Sequence, residues 1–498
     1  MVQWKFRPRY YPHFDHAITH QSEALALIKD FQSTGCHTFL PFLESPLELR
    51  RFTKYLEKLR EIEAGNDVEG FEVNKPRPIK YASHQDSQIF SYYRTILAEK
   101  YEAVLRERGL DEFPIAYRKI PVQVGSPKGK CNIHFAKEAF DEVVRRGNCV
   151  AITLDVSGFF ESLDHAFLER KWCEVMGLRE LPVDHKAVFK AVTDYRLVDK
   201  DACYENLGLI TWDGSKRKYL QCPFYIFRKK KMLCDKNEYR EKIVGKGLVK
   251  KNEYKGTLIP QGVPQGSPIS DILANIYMLD FDAEMAVLAR QHGAYYRRYS
   301  DDILWICSEE QAEGIKEKCQ DAISRQGQAT LALSAKKTTV THFQKEERTL
   351  SPSGDAFSYL GFSFDGQKAL YRDKTISGYE RKTTFGIRSF VRRAYEDGIG
   401  NQKKKITGNG KSLKQNLNVS QIFHKIGFPN KDYVARQRED DERVETNFMT
   451  YHLRALHIFN ANQNASYFLS DKQLRDYKTF IRKKILEEAK KFDPVFVL

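Results

Sequence analysis

The alternation of apolar and polar positions divides the chain into short strands and long amphipathic helices. In "NCVAITLDVSGFF" (148–160), Val150, Ile152 and Leu154 alternate as in a buried strand, which should stop at Asp155. "SYYRTILAEKYEAVLRERG" (91–109) instead sets Ile96, Leu97, Tyr101, Val104 and Leu105 at helical spacing, with Gly109 as the stop. "DILANIYMLDFDAEMAVLARQHG" (271–293) reads as one long helix entered from the glycine-rich loop "QGVPQGSP". "FSYLGFSFDG" (357–366) reads as a hairpin strand with a turn at Asp365-Gly366. Beyond about 417 the pattern turns helical, as in "DKQLRDYKTFIRKKILEEAKKF". No repeat of 20–50 residues is visible, which argues against a solenoid.

One stretch breaks the strand rule. "RRYSDDILW" (297–305) holds two adjacent carboxylates, Asp301 and Asp302, inside β-like apolar flanks. Aspartate is a poor strand former and adjacent carboxylates repel. Either the pair is an exposed turn or strong positive charge sits there. A strand ending in Asp155 and a hairpin bearing Asp301-Asp302 could bring three carboxylates together, and cations must then neutralise them. Hard oxygen ligands with room for water and phosphate suit Mg²⁺. Two such ions about 4 Å apart support in-line phosphoryl transfer.

Charge sharpens this picture. The 498 residues carry 81 Lys+Arg against 66 Asp+Glu, a formal net charge of +15. That balance favours a polyanionic partner, nucleic acid first and an acidic membrane surface second. With 41% hydrophobic and 12% aromatic residues the chain can bury real cores, and its length suggests roughly two to four structural units. Residues 228–255 hold eleven Lys/Arg against four Asp/Glu and read as a basic insertion, whereas 398–416 reads as a Gly-, Asn- and Lys-rich linker. Nine cysteines form no CxxC pair and thirteen histidines no HExxH, so neither a zinc site nor a disulfide framework is indicated. The first residues hold no apolar signal segment and no run reaches membrane-spanning length, so a cytoplasmic protein without a membrane partner is expected. "FRPRYYPHF" near the N-terminus interleaves Arg7 and Arg9 with aromatic rings, and either stacks bases or packs on its own protein.

Six stretches in order resemble the reverse transcriptase family. "KPRPIKYASHQD" (75–86) is similar to the basic fingers segment, "LDVSGFF" to the first catalytic motif, and "GVPQGSPISDILANIY" to the PQG segment that enters the palm helix. "YSDD" resembles the YxDD hairpin, "LSAKKTTV" (333–340) the following lysine motif, and "YLGFSF" the primer-grip hairpin. The resemblance implies an α+β right-hand polymerase with fingers, palm and thumb and an α-helical C-terminal extension. Fingers and palm would span 1–365, with a basic insertion at about 200–256, and the helical thumb and extension 366–498. It implies an RNA-templated DNA polymerase that uses two Mg²⁺ ions, with Mn²⁺ as a substitute. Asp155, Asp301 and Asp302 would be the catalytic metal carboxylates, with the Val156 carbonyl as a further ligand. Lys337 matches the lysine that protonates the leaving pyrophosphate, and the adjacent Lys336 leaves that choice open. Phe160, five residues after Asp155, would close on the sugar's 2′ side and favour deoxynucleoside triphosphates. Gln265 and Gly266 would lie against the incoming nucleotide, Arg77 and Lys80 would hold its triphosphate, and Tyr359, Leu360 and Gly361 would brace the primer end.

Within the family, no ribonuclease H residues can be assigned after 365 and no cysteine pattern supports an endonuclease module. "CNIHFAKEAF" (131–140) departs from the retron NAxxH segment. The remaining pattern resembles the stand-alone bacterial defence-associated and abortive-infection reverse transcriptases of the unknown-group lineages, with the type-nine subgroup as the assignment. That resemblance implies an antiphage role, a structured noncoding RNA as partner and template, a DNA product, a homo-trimer or homo-hexamer, and priming from a protein hydroxyl in some members. Candidate priming tyrosines are Tyr371, Tyr379, Tyr395, Tyr433, Tyr451, Tyr467 and Tyr477. The rival readings are an RNA-dependent RNA polymerase, an untemplated nucleotidyl transferase, and a catalytically silent RNA-binding module on a polymerase fold.

Overall fold

In the computed structural model, which describes residues 4–46, 78–213, 216–253, 258–347, 349–404, 417, 419, 422–423, 448–461 and 466–494, the chain divides into two units. The first comprises Met1–Arg118, Leu154–Leu304 and Glu313–Thr338, and the second Lys119–Thr153, Trp305–Ala312 and Thr339–Leu498. Both are built from non-contiguous stretches, and neither ends at 365.

The strands in chain order are β1 (Phe42–Pro46), β2 (Pro78–Tyr81), β3 (Cys149–Asp155), β4 (Arg196–Asp199), β5 (Ile210–Asp213), β6 (Lys216–Tyr219), β7 (Lys250–Lys251), β8 (Tyr295–Tyr299), β9 (Asp302–Cys307), β10 (Thr339–Glu346), β11 (Thr349–Gly354), β12 (Ser358–Tyr359), β13 (Phe362–Phe364), β14 (Lys368–Tyr371) and β15 (Phe468–Leu469). The sheet that carries the aspartates has the order β11-β10-β3-β9-β8. Its β3 is buried at Cys149, Val150, Ala151 and Ile152, the mark of a central strand covered on both faces rather than of a half-exposed one.

In the first unit, β1 runs antiparallel to β2 and parallel to β4, giving a sheet ordered β2-β1-β4-β7. The helix His84–Glu107 starts upstream of the expected 91 because Ser83 caps it, its Oγ accepting from Asp86 N at 3.1 Å. Ile89, Phe90, Tyr93, Leu97, Tyr101 and Leu105 form its buried stripe. The long helix expected over 271–293 is two, Ser270–Tyr277 and Leu279–His292, interrupted at Met278 and closed by Gly293 at φ 58°. The basic insertion shares a core with the rest of this unit, with Cys203, Tyr204, Leu209, Ile210, Leu233, Cys234 and Ile243 buried together with Phe14, Leu43 and Val198.

In the second unit, β10 pairs antiparallel with Cys149–Thr153 of β3 and with β11. The expected turn at Asp365-Gly366 is present, and a second turn at Leu360-Gly361 joins β12 to β13. Phe140, Phe343, Phe357, Phe362, Phe364, Phe459 and Tyr467 form an aromatic core under these strands. The C-terminal region supplies the helices Asp373–Lys404, Phe448–Phe459 and Tyr477–Ala489, and also β15, which pairs parallel to β14.

Candidate active site

The first unit contains the end of β3 and the β8–β9 hairpin. Two residues, Ser300 and Asp301, connect β8 to β9, and Asp302 is the first residue of β9. Such a connection needs a positive φ that glycine ordinarily supplies. Ser300 takes it instead, at φ 62°, while buried. A non-glycine residue held there stores roughly 1–3 kcal/mol and persists only where its surroundings over-determine it.

Two groups do so. Arg298 Nη1 donates to the Ser300 carbonyl at 3.0 Å. Its guanidinium is fully buried and forks onto the equally buried Asp282 of the helix Leu279–His292, with bonds of 2.8 and 2.6 Å. Tyr296 adds a 2.7 Å bond to Asp282. Burial opposes the Arg298 charge, but Asp282, Tyr101 and Tyr296 outweigh it and raise the guanidinium above its ordinary value. On the other side, Tyr117 OH donates to Ser300 Oγ at 3.2 Å. Tyr117 also has a positive φ, 64°, and is delivered there because Phe113 and Ile115 exchange backbone bonds with Arg298. Burial raises its phenol pKa, the Ser300 hydroxyl works against that, and the Asp301 charge adds to the rise.

Val156 N donates to the Asp301 carbonyl at 3.1 Å, which sets the end of β3 directly beside the turn. Ser157 N to Ala332 O and Ser334 N to Asp155 O, at 2.9 and 2.8 Å, then lay the 332–334 segment along the other side. None of these three bonds uses the Val156 carbonyl. The segment continues into a short turn, Ala335–Lys337, from which Lys337 Nζ reaches Asp155 Oδ2 at 2.8 Å. Among the described residues, no three His, Cys, Asp or Glu side chains already stand in ligand geometry. The donor set nonetheless suits a hard divalent cation, since it offers carboxylates at adjacent backbone positions of which Asp155 is already paired with a cation.

Phe160 and the PQG loop are also brought together. Gly158 turns the chain at φ 54°, and Val263 N donates to Phe160 O at 2.7 Å, so Phe160 sits at the base of the loop. Gln265 O accepts from Lys80 N at 2.9 Å. Gly266, at φ 105°, passes so close to β2 that a Cβ would lie 2.6 Å from Ile79 Cγ2 and 3.1 Å from Lys80 O. The close approach expected of this glycine is thus made to strand β2. Lys80 departs from the expected free phosphate-binding cation. It is buried, its Nζ lies 3.5 Å from Glu44 Oε1 and it faces the Tyr195 ring, because it points into the sheet interior where Glu44 is its cross-strand partner. Arg77 lies outside the described residues.

Tyr359, Leu360 and Gly361 belong to the second unit. Tyr359 is buried opposite Phe362, and the Leu360 carbonyl accepts from Asn132 Nδ2 at 3.2 Å. Of the priming candidates, Tyr371, Tyr379, Tyr467 and Tyr477 are buried, Tyr395 packs on Phe492 and Tyr451 OH accepts from Asn132, while Tyr433 lies outside the described residues. The N-terminal aromatic segment packs on its own unit, with Tyr11 OH on the Ala82 carbonyl at 2.7 Å and Phe14 buried. Arg298, Asp282 and Tyr117 were not among the expected site residues. Period-two alternation carried a signal for the first of them, since Tyr296, Arg298 and Ser300 share the inward face of the hairpin.

Residues 215–364 match the family model described as reverse transcriptase (RNA-dependent DNA polymerase). Over this stretch the chain is similar to reverse transcriptases. The match includes Gln265, Gly266, Asp301, Asp302 and Lys337, whereas Asp155 and Phe160 precede it. The chain is also similar to solved telomerases. The apo telomerase from Candida tropicalis truncated from its C-terminal domain is 11% identical over 61% of this chain and 49% of that one, with a TM-score of 0.35. The apo telomerase from the same organism is 11% identical over 91% and 71%, with a TM-score of 0.38. A Candida albicans telomerase in complex with a TWJ fragment of telomeric RNA is 11% identical over 92% and 74%, with a TM-score of 0.35. The chain thus spans about half the length of the first of these structures. Likenesses this distant add nothing to the family match. Among the described residues no helix is long and apolar enough to cross a membrane.

Proposed function

We propose that this protein is an RNA-templated DNA polymerase whose chemistry is carried by Asp155, Asp301 and Asp302. The observation that supports this most directly is the Val156–Asp301 backbone bond, between the residue that follows Asp155 and the strained turn that carries Asp301 and Asp302. The three aspartates, with the Val156 carbonyl, would hold Mg²⁺. Bound Mg²⁺ supplies charge neutralisation and polarisation of the phosphoryl oxygens for in-line displacement. Lys337 acts as the proton donor to the leaving pyrophosphate, a role supported by its ammonium reaching Asp155. Phe160 excludes a 2′-hydroxyl, and Gln265 and Gly266 form the wall behind the nucleotide. The Tyr359–Gly361 turn is assigned to the primer grip, and 1–365 with 366–498 to fingers–palm and thumb–extension.

The motif resemblance further supports membership in the stand-alone bacterial defence lineages, with a structured noncoding RNA as template and a homo-oligomeric assembly. Priming from a protein hydroxyl draws least support, because four of the seven candidate tyrosines are buried. The test supplies purified protein with Mg²⁺ and labelled deoxynucleotides one at a time, with and without RNase pretreatment. DNase-sensitive product that needs intact RNA is expected. Incorporation of ribonucleotides instead, or of deoxynucleotides without RNA, would replace this reading with one of its rivals.

A further inference from the structure

The basic insertion contains two elements, adjacent in sequence, that present aromatic rings to solvent. The first is the hairpin β5–β6, whose register sets Trp212 opposite Arg217 and Ile210 opposite Tyr219. Trp212, Arg217 and Tyr219 therefore share one face of the ribbon. Arg217 is held by Asp201 at 2.5 Å, and its guanidinium carbon lies 4.9 Å from the centroid of the Tyr219 ring. The second element is the helix Pro223–Lys230, which turns Pro223 and Phe227 inward and leaves Phe224, Tyr225, Arg228 and Lys229 outside. Helical spacing makes Phe224 a neighbour of Arg228, and Tyr225 a neighbour of Lys229.

The rings are far from covered, with Trp212 39%, Tyr219 51%, Phe224 51% and Tyr225 67% exposed. Residues 216–231 contain seven Lys/Arg, and no acidic residue occurs between Asp213 and Asp235. A solvated charge run has no use for exposed rings, and clustered rings left in water mark a binding surface. Rings alternating with cations match a strand of bases and phosphates, in which each base stacks and each phosphate meets a cation. A membrane surface fits less well, because Leu220 is the one exposed aliphatic residue between Trp212 and Lys231 that could enter acyl chains.

We propose that the β5–β6 hairpin and the helix Pro223–Lys230 form a docking surface for single-stranded RNA, distinct from the carboxylate site. The choice of RNA rests on the polymerase reading above, while the surface itself rests on the rings and charges. This surface holds a template or partner strand independently of turnover.

The test measures binding of fluorescent single-stranded RNA of about 16 nucleotides to the full chain over a range of salt. Phe224→Ala with Tyr225→Ala is expected to weaken binding about tenfold or more at fixed salt, with the salt slope unchanged. Arg228→Gln with Lys229→Gln and Lys230→Gln is expected to lower that slope by about two. Both variants should melt like wild type, since the altered side chains are exposed. Unchanged RNA affinity in both variants would overturn the proposal. So would equal binding of duplex RNA, tighter binding of single-stranded DNA, or a ring-dependent affinity seen only for vesicles containing phosphatidylserine. Deoxynucleotide addition is assayed on the same preparations. Ring-dependent RNA binding without any addition by wild type would sink the polymerase reading and leave this one standing. Normal addition with ring-independent binding would do the reverse.

Discussion

Arg298 donates from Nη1 to the carbonyl of Ser300 at 3.0 Å, so a fully buried cation holds the turn that carries Asp301 and Asp302. The strain at Ser300 persists because that bond and the Tyr117 hydroxyl grip it from two sides. Arg298 touches no substrate in this account, and acts through the position of the turn.

Arg298→Met should destabilise the protein by about 3–5 kcal/mol, because Asp282 is left buried and uncompensated. Adding Asp282→Leu should recover most of that loss, since an apolar pair can replace a buried ion pair. The rate should not recover with it. The double variant still lacks the donor to Ser300, and kcat should stay about tenfold to hundredfold down. Denaturant melts and single-turnover incorporation on the same variants separate the two effects. Recovery of both together would reduce Arg298 to a packing role.

Lys337→Gln should move two quantities in opposite directions. Removing the proton donor should lower kcat by about a hundredfold or more. Removing the ammonium that sits on Asp155 should also lower the Mg²⁺ concentration needed for half-maximal rate, because Lys337 and the metal compete for one carboxylate. A Mg²⁺ titration of the variant checks the sign.

Phe160→Ala should admit the 2′-hydroxyl. The preference for deoxynucleotides, as a ratio of kcat/KM values, should fall by about ten- to two-hundredfold. An unchanged ratio would place the sugar elsewhere than against Phe160.

These residues were legible to different degrees. Asp155 and Asp301-Asp302 stood out because acids interrupt strand alternation at both places, and the structure joins those places through one backbone bond. Gly266 was legible as a close approach, but Ile79, which it approaches, lies far away in sequence and no local pattern points to it. Lys80 read as a triphosphate-binding cation and Arg298 carried no assignment, because no local pattern announces Glu44 or Asp282, which tertiary structure supplies. The interruption at Met278 has no Gly or Pro to mark it. The start of the helix at His84 did carry a sign, a serine cap three residues before Asp86.

Acid should weaken the fold well before the carboxylates titrate. Burial lowers the His13 pKa to about 4, with His84 acting the same way and Asp15 and the Tyr81 carbonyl opposing. Its Nδ1 accepts from Phe14 N at 2.9 Å, a bond only the neutral ring can keep. The unfolded chain binds this proton near pH 6.5, so the unfolded state gains as pH falls. His13 therefore contributes stability above about pH 6.5 that is lost on the way down to about pH 4, some ~3 kcal/mol in all. His452, lowered by burial to about 4, adds in the same direction. Urea melts across that window should show the decline, and His13→Asn should flatten it.

The central claim is that the carboxylates beside the Ser300 turn make DNA on RNA. The decisive measurement is Mg²⁺-dependent incorporation of labelled deoxynucleotides by wild type and by Asp301→Ala, with and without RNase pretreatment. The account predicts a DNase-sensitive product from wild type, none from Asp301→Ala, and none after RNase. Equal product from Asp301→Ala, or no deoxynucleotide incorporation by a folded, RNA-bound wild type, would contradict it.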